Sequence, residues 1–433
     1  VAKEMQRKGY SIPLLIGGAT TSKVHTAVKI DKGYQHPVIY VPDASRAVGV
    51  ASKLLSDENK PAYIAEIEEE YETIRVRRAG KQSNRKSVTI SEARKNKFST
   101  DWDNYTPPVP AAMSETFSDA TFGKVKFEPH MGGMVAQIDD YPLSDLVKRI
   151  DWSPFFATWE LAGKYPRILK DDVVGEAATK LFADAQVLLK QIVDEKWITA
   201  RAVFGFFPAN MVNNEDIDLY TDETRSQVSI KLHHLRQQIQ RNNNRPNFCI
   251  SDYVAPKETG LKDYAGGFAV TAGIGIKEHI ERFKADHDDY NAIMLEALAD
   301  RFAEALAERM HEHVRKQYWG YVADEKLSDE EIIGEKYAGI RPAPGYPACP
   351  DHTEKSQLWQ LLEPEKRIGI ELTESYAMYP GASVSGWYFS HPGSSYYGLG
   401  KIQKDQVEDY ANRKKMSLDK VERWLAPVLG YDV

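Results

Sequence analysis

The clearest periodicity lies between Tyr290 and Tyr318, where Leu298, Phe302, Leu306 and Met310 recur every fourth residue. That spacing puts them on one side of a long helix, which Gly320 is placed to close. A more polar helix is predicted from about Pro61 to Arg78, with Ile64, Ile67, Tyr71 and Ile74 on one face and Gly80 at its end. Elsewhere the apolar residues come in short runs. Ile12–Ile16 (IPLLI), ended by Gly17-Gly18, and Pro37–Val41 (PVIYV) read as buried parallel strands, followed by the helices SKVHTAVKI and ASRAVGVASKLL. This alternation indicates a doubly wound parallel sheet, of which only about two units are present.

The rest of the chain alternates less regularly. Strand-like runs occur at 202–208 (AVFGFFP), 248–256 (FCISDYVAP), 266–273 (GGFAVTAG), 385–391 (SGWYFSH) and 396–402 (YYGLGKI). The last two flank Pro392-Gly393-Ser394-Ser395 and predict a hairpin. DQVEDYANRK and SLDKVERWL predict two short helices near the end. Residues 80–110 are basic, then Pro-rich, and read as a surface linker. The fold expected for the body is therefore α+β, a twisted antiparallel sheet with helices, preceded by the C-terminal part of a Rossmann-like α/β domain. The boundaries are 1–58 for that first part, 59–110 for helix and linker, and 111–433 for the large unit.

Composition narrows the partners. Charge is 56 − 63 = −7, so the chain lacks the basic footprint that nucleic acid or an anionic membrane requires. No apolar run approaches the roughly 18 residues of a membrane span. The start, VAKEMQRKGYSIPLL, is not laid out as a signal peptide and reads as a cut inside a longer protein. Cys249 and Cys349 are the only cysteines, too few for a disulfide framework or a Cys-rich zinc site, and a reducing cytoplasm is the expected setting.

The chemistry concentrates in Gly339–His352, GIRPAPGYPACPDH. Its four prolines exclude a helix and stiffen the backbone. Gly345 allows a sharp bend or a close approach to a ligand. Arg341 is a fixed positive fork suited to a carboxylate, and Tyr346 adds an aromatic face and a hydroxyl. From residues alone, two readings stand: a Pro-rich surface crossover, or a rigid loop presenting one guanidinium and one ring. The aromatic and small residues of SGWYFSHPGSSYYG would suit a flat heterocycle. Glu308, His311 and His313 could suggest a metal, but His313 is turned away and a solvated helix end is the simpler reading. His233-His234 point apart, and Gly273-x-Gly275 lacks the third glycine of a nucleotide loop.

RPAPGYPACPDHTEK resembles the Arg-x-x-x-Gly-Tyr signature of the activation domain of the cobalamin-dependent methionine synthase family. The likeness continues through LTESYAMYPGASVSGWYFSHPGSSYYGLGKI, KDQVEDYANRK and LGYD, and upstream through DWSPFFATWELAGKYPRIL, DETRSQV, HHLRQQ, SDYVAPKETG and HDDYNAIMLEALADR. IPLLIGGATTSKVHTAVKI resembles the end of the family's cobalamin domain. The resemblance implies a S-adenosylmethionine site. Arg341 would hold the carboxylate, and Ala343, Gly345 and Tyr346 would line the pocket. Asp151 and Glu304 would face the cationic groups, and Tyr396 and Tyr397 would contact the ligand. Ser22 and Thr26 would touch the nucleotide tail of cobalamin. Without the resemblance, Asp151 is also an N-cap, Glu304 a solvated face residue, either tyrosine a core residue, and Ser22 with Thr26 a cap and a surface residue.

The family's cobalt-ligating Asp-x-His-x-x-Gly motif does not occur in the sequence and is expected upstream of Val1. So are the folate module and the zinc-bearing homocysteine module. The implied role is therefore repair: reductive methylation of inactive cob(II)alamin to methylcobalamin, with an electron from a flavodoxin-type donor and a methyl from S-adenosylmethionine. No catalytic base or nucleophile and no metal ligand is expected in this chain, since its task is positioning. Two alternatives are a stand-alone S-adenosylmethionine-dependent methyltransferase and a non-catalytic module that docks a redox partner.

Overall fold

The computed structural model describes the chain except residues 1, 18–22, 42–43, 57–58, 84–85, 115–116, 118–124, 242–244 and 433. The chain divides into two compact units, Val1–Lys86 and Ser87–Val433. Among the described residues, no helix is long and apolar enough to cross a membrane.

In the first unit, β1 (Leu14–Gly17) and β2 (Val38–Val41) pair in parallel, Leu14 opposite Val38 and Gly17 opposite Val41. Helix Ala44–Leu55 and the long polar helix Lys60–Ser83 follow. Tyr63, Ile64 and Ile67 pack against Ile39, Val41 and Leu54, as their shared face predicts. The Tyr40 N–H donates to the buried Tyr71 hydroxyl at 2.9 Å, tying the same helix to β2. Thr26 is fully buried in this unit; Ser22 lies outside the described residues.

The second unit is built on one seven-stranded sheet whose pairings are all antiparallel. Its strands are β3 (Glu128–His130), β4 (Gly133–Tyr141), β5 (Thr199–Val212), β6 (Asp216–Tyr220), β7 (Val228–His233), β8 (Asp263–Ile274) and, past a two-residue hairpin of β9 (Glu371–Leu372) and β10 (Met378–Tyr379), β11 (Ser383–Tyr388). The order runs β11-β8-β5-β4-β3. Beyond Ala209, β5 exchanges β4 for β6, which pairs on to β7. Both faces are covered, which is why these strands read as continuous apolar runs. Ala202, Phe204 and Phe206 of β5 and Phe268 and Val270 of β8 face one core, which contains helix Gly175–Asp194 and the long helix Asp289–His313. Val203 and Phe207 of β5 and Ala265 and Ala269 of β8 face the other, with Leu358, Leu361 and Leu362 of helix Lys355–Leu362. At the crossing, a Cβ on Gly267 would lie 2.8 Å from Leu358 Cδ1, so the helix packs there because the side chain is missing.

Three expectations need correction. Residues 248–256 are not a strand: Ile250–Tyr253 form a 3-10 turn, with Asp252 accepting the Cys249 N–H at 3.0 Å. Residues 396–402 do not pair back on β11. The open edge of β11 is taken by the Pro-rich loop, with Ile340 and Phe389 exchanging two backbone hydrogen bonds of 3.0 Å and Trp387 N–H donating to Pro342 at 2.9 Å. The second half of the stretch read as a linker is built into the second unit. Thr89 and Glu92 form a capping box on helix Ile90–Lys95, Arg94 reaches buried Glu215 at 2.7 Å, and Trp319 Nε1 donates to Pro108 at 2.8 Å.

Candidate functional site

Arg341 sits where the Pro-rich loop, the long helix and the segment after β11 meet. The rung at Ile340 fixes its backbone to β11. Its own N–H donates to the Tyr396 hydroxyl at 3.0 Å, and that hydroxyl lies 3.2 Å from the Tyr337 hydroxyl. Its guanidinium Nη2 donates to Glu308 Oε2 at 2.9 Å. Burial alone would favour the neutral guanidine. The neighbours Glu308, Tyr396, Tyr337 and Glu304 outweigh it and hold Arg341 well above its ordinary value. Its Nε–H is buried with no hydrogen-bond acceptor, while the side chain as a whole keeps 18% of its surface exposed. A buried donor in that state costs about 1–3 kcal/mol, which an incoming acceptor would recover.

The glutamates come from one helix face, since Glu304 and Glu308 are one turn apart. Glu308 and His311 are not the solvated helix end the sequence suggested. Glu308 is 8% exposed and His311 fully buried, because Tyr337 and β11 cover this turn of the helix. The His311 ring stacks on Tyr388 at 5.4 Å and meets Tyr337 edge-on at 4.8 Å. Burial first, then the charges of Arg315 and Arg341, hold its pKa well below the ordinary histidine value, so it is neutral. Arg315 lies over the Tyr337 ring at 4.2 Å and pairs with Glu325 at 2.7 Å.

Two tight turns shape the loop. Tyr346 N–H donates to Ala343 at 3.1 Å, Cys349 N–H to Tyr346 at 3.0 Å, and Gly345 N–H to Cys349 at 2.7 Å. Gly345 has φ +98°, and a Cβ there would lie 2.3 Å from His352 Cε1. This position requires glycine on both counts. Tyr346 is 57% exposed. Partial burial and the nearby Glu304 raise its phenol pKa, with Arg341 opposing.

Of the residues singled out from sequence, the structure brings Glu304, Arg341, Ala343, Gly345, Tyr346 and Tyr396 together. The adjacent tyrosines diverge. Tyr396 reaches Arg341, while Tyr397 turns inward and stacks on Phe248 at 5.6 Å, its hydroxyl buried. Asp151 caps helix Trp152–Thr158, accepting Ser153 N–H at 2.9 Å, and that helix packs on the long helix. Among the described residues, no hydrogen bond or ion pair joins Asp151 to Glu304, Arg341, Tyr346 or Tyr396. Sequence reasoning missed Glu308 as a partner of Arg341, and missed Tyr337. The signal for Glu308 was its four-residue spacing from Glu304.

Residues 142–415 match the family model of the vitamin B12 dependent methionine synthase activation domain. The chain belongs to this family. A crystal structure of the MetH reactivation domain bound to AdoHcy is 55% identical in sequence. It aligns with a TM-score of 0.72 over 80% of this chain and 99% of the other. The matched family residues contain every member of the Arg341 cluster, from Glu304 through Tyr396, so the cluster belongs to the activation domain itself. The chain is thus the reactivation part of a cobalamin-dependent methionine synthase, and its curled antiparallel sheet with flanking helices is the fold of that domain.

Proposed function

We propose that the Arg341 cluster binds S-adenosylmethionine and holds its methyl group for transfer to cobalamin during reactivation. The observation that carries this reading is the part-buried Arg341 guanidinium, held at Nη2 by Glu308 and meeting no protein acceptor at its Nε–H. A ligand carboxylate meeting the guanidinium's free donors forms a charge-assisted pair partly shielded from water. Glu304 supplies negative charge beside it for the ligand's ammonium and sulfonium. Ala343 and Gly345 give backbone a close approach, and the exposed Tyr346 ring and the Tyr396 ring give faces that attract a cation. Tyr397 acts as the anchor that sets Tyr396. Asp151 is proposed as a further acidic contact once the ligand is in place. The AdoHcy named for the related crystal structure is the demethylated form of the same ligand, which supports the assignment.

No side chain here is asked to act as base or nucleophile; the work of these residues is to bind and orient. Cobalamin, when bound, supplies the metal that accepts the methyl group. We read the first unit, with its parallel β1–β2 pair, as the end of a cobalamin-binding domain, and a flavodoxin-type protein as the electron donor. The fully buried Thr26 offers no exposed atom to cobalamin in this conformation. A stand-alone methyltransferase on a doubly wound sheet is disfavoured by the antiparallel sheet that carries the site.

Titration with S-adenosylmethionine by calorimetry, beside Arg341→Ala, tests the assignment. Loss of a buried charge-assisted pair should cost about 2–5 kcal/mol, roughly 30-fold or more in affinity. Equal affinity in the two proteins would remove Arg341 from the site.

A further inference from the structure

We propose that Glu308 is a positioning residue. It sets which edge of the Arg341 guanidinium a ligand meets, and so makes the site selective for ligands that carry an amino-acid end. This inference rests on the reading of Arg341 as the carboxylate holder.

Glu308 is itself fixed. Its Oε2 accepts from Arg341 Nη2 at 2.9 Å, and its Oε1 faces Arg315 Nη1 at 3.9 Å. Arg315 is fully buried and locked in turn, with Glu325 on Nε and Nη2 at 3.1 and 2.7 Å and the Tyr337 ring beneath it at 4.2 Å. Glu308 therefore stands between two arginines and neutralises neither completely. Arg341 is pinned at two points, its backbone N–H by Tyr396 and its Nη2 by Glu308. A guanidinium held at Nη2 keeps its direction, and its Nη1–H and Nε–H, for which no protein acceptor is seen, are the donors left for a ligand oxygen. Neutral His311 beside the pair adds no competing charge. Without Glu308, the fork would lose its fixed direction and could turn toward Glu304.

The test uses two ligands that share adenosine and a thioether: S-adenosylhomocysteine, and 5′-methylthioadenosine, which has no amino-acid end. Both are titrated into the full chain carrying Glu308→Gln, Glu308→Ala, Arg341→Ala, or the last two together. The glutamine variant keeps the side-chain shape if the alanine variant folds poorly. Either Glu308 change should weaken S-adenosylhomocysteine about tenfold or more, the scale of a charge-assisted hydrogen bond, and leave methylthioadenosine within about twofold. Once Arg341 is alanine, removing Glu308 should cost nothing further, as expected if one residue acts through the other. Equal losses for both ligands would make Glu308 merely structural and overturn the proposal. Unchanged or tighter S-adenosylhomocysteine binding in Glu308→Gln would also overturn it, the tighter case making Glu308 a competitor for the arginine. If Arg341→Ala itself leaves S-adenosylhomocysteine binding intact, it is the reading of the site that fails, not the role of Glu308 alone.

Discussion

The Tyr396 hydroxyl accepts the backbone N–H of Arg341 at 3.0 Å, across 55 residues of sequence. This bond ties the segment after β11 to the Pro-rich loop and holds the arginine's main chain while Glu308 holds its side chain. Tyr396→Phe should therefore weaken S-adenosylmethionine by about 1 kcal/mol, or roughly fivefold, from the lost acceptor. Tyr397→Phe should leave affinity unchanged and stability equal or slightly higher, because its buried hydroxyl has no hydrogen-bond partner. Calorimetry and thermal melting of the two variants separate these roles.

Gly345→Ala should destabilise the second unit by about 1–3 kcal/mol, since the residue would be forced into a left-handed conformation and against an imidazole. Adding His352→Ala should recover only part of the loss, because it removes the contact and not the backbone strain. Urea midpoints of the single and double variants would show this; full recovery would mean that the backbone carries no strain.

The segment 98–105 grips the turn that precedes Tyr396. His391 contacts Thr100 Oγ1 through Nε2 at 3.0 Å and accepts Gly393 N–H through Nδ1 at 3.0 Å, among the rings of Phe98, Trp102 and Tyr105. Burial lowers its pKa to about 4 from an ordinary 6.5. The unfolded chain then binds the proton more readily than the folded one. The stabilisation is fully present above pH 6.5 and is lost as pH falls toward 4, by up to about 3 kcal/mol. Stability measured against pH from urea midpoints should fall more steeply over that window in the parent than in His391→Gln. Parallel curves would count against the assignment.

Lys414 donates to Asp351, Thr353 and Glu354 at 2.8, 2.6 and 2.6 Å, all buried. Burial alone would raise Glu354, but Lys414 and the His233 side chain bring it down to about 2. Lys414→Met leaves these carboxylates without their cation and should cost about 3–5 kcal/mol, read from the urea midpoint. A loss below about 1 kcal/mol would show that they find protons or water instead.

Much of this architecture was legible because apolar spacing speaks for local structure. Leu298, Phe302, Leu306 and Met310 marked the long helix, and the runs at 202–208 and 266–273 marked β5 and β8. The failures share one cause. Residues 396–402 have strand composition, but which strand covers the edge of β11 is decided by a loop some 50 residues away in the chain. Likewise Glu308 and His311 look solvated in a helical projection, because the projection does not include Tyr337 or β11. The Arg341 loop stood out as a rigid presentation of one cation, yet its side-chain partner was hidden among ordinary helix glutamates.

The loop that carries Arg341 also finishes the sheet. Ile340 and Pro342 take the hydrogen-bonding positions of Phe389 and Trp387 at the end of β11, and Pro342, Pro344, Pro347 and Pro350 bring no amide hydrogens of their own. A strand from another molecule that approached this margin would find few donors to register against. The residues of the proposed ligand site would thereby also guard this end of the sheet against edge-to-edge association.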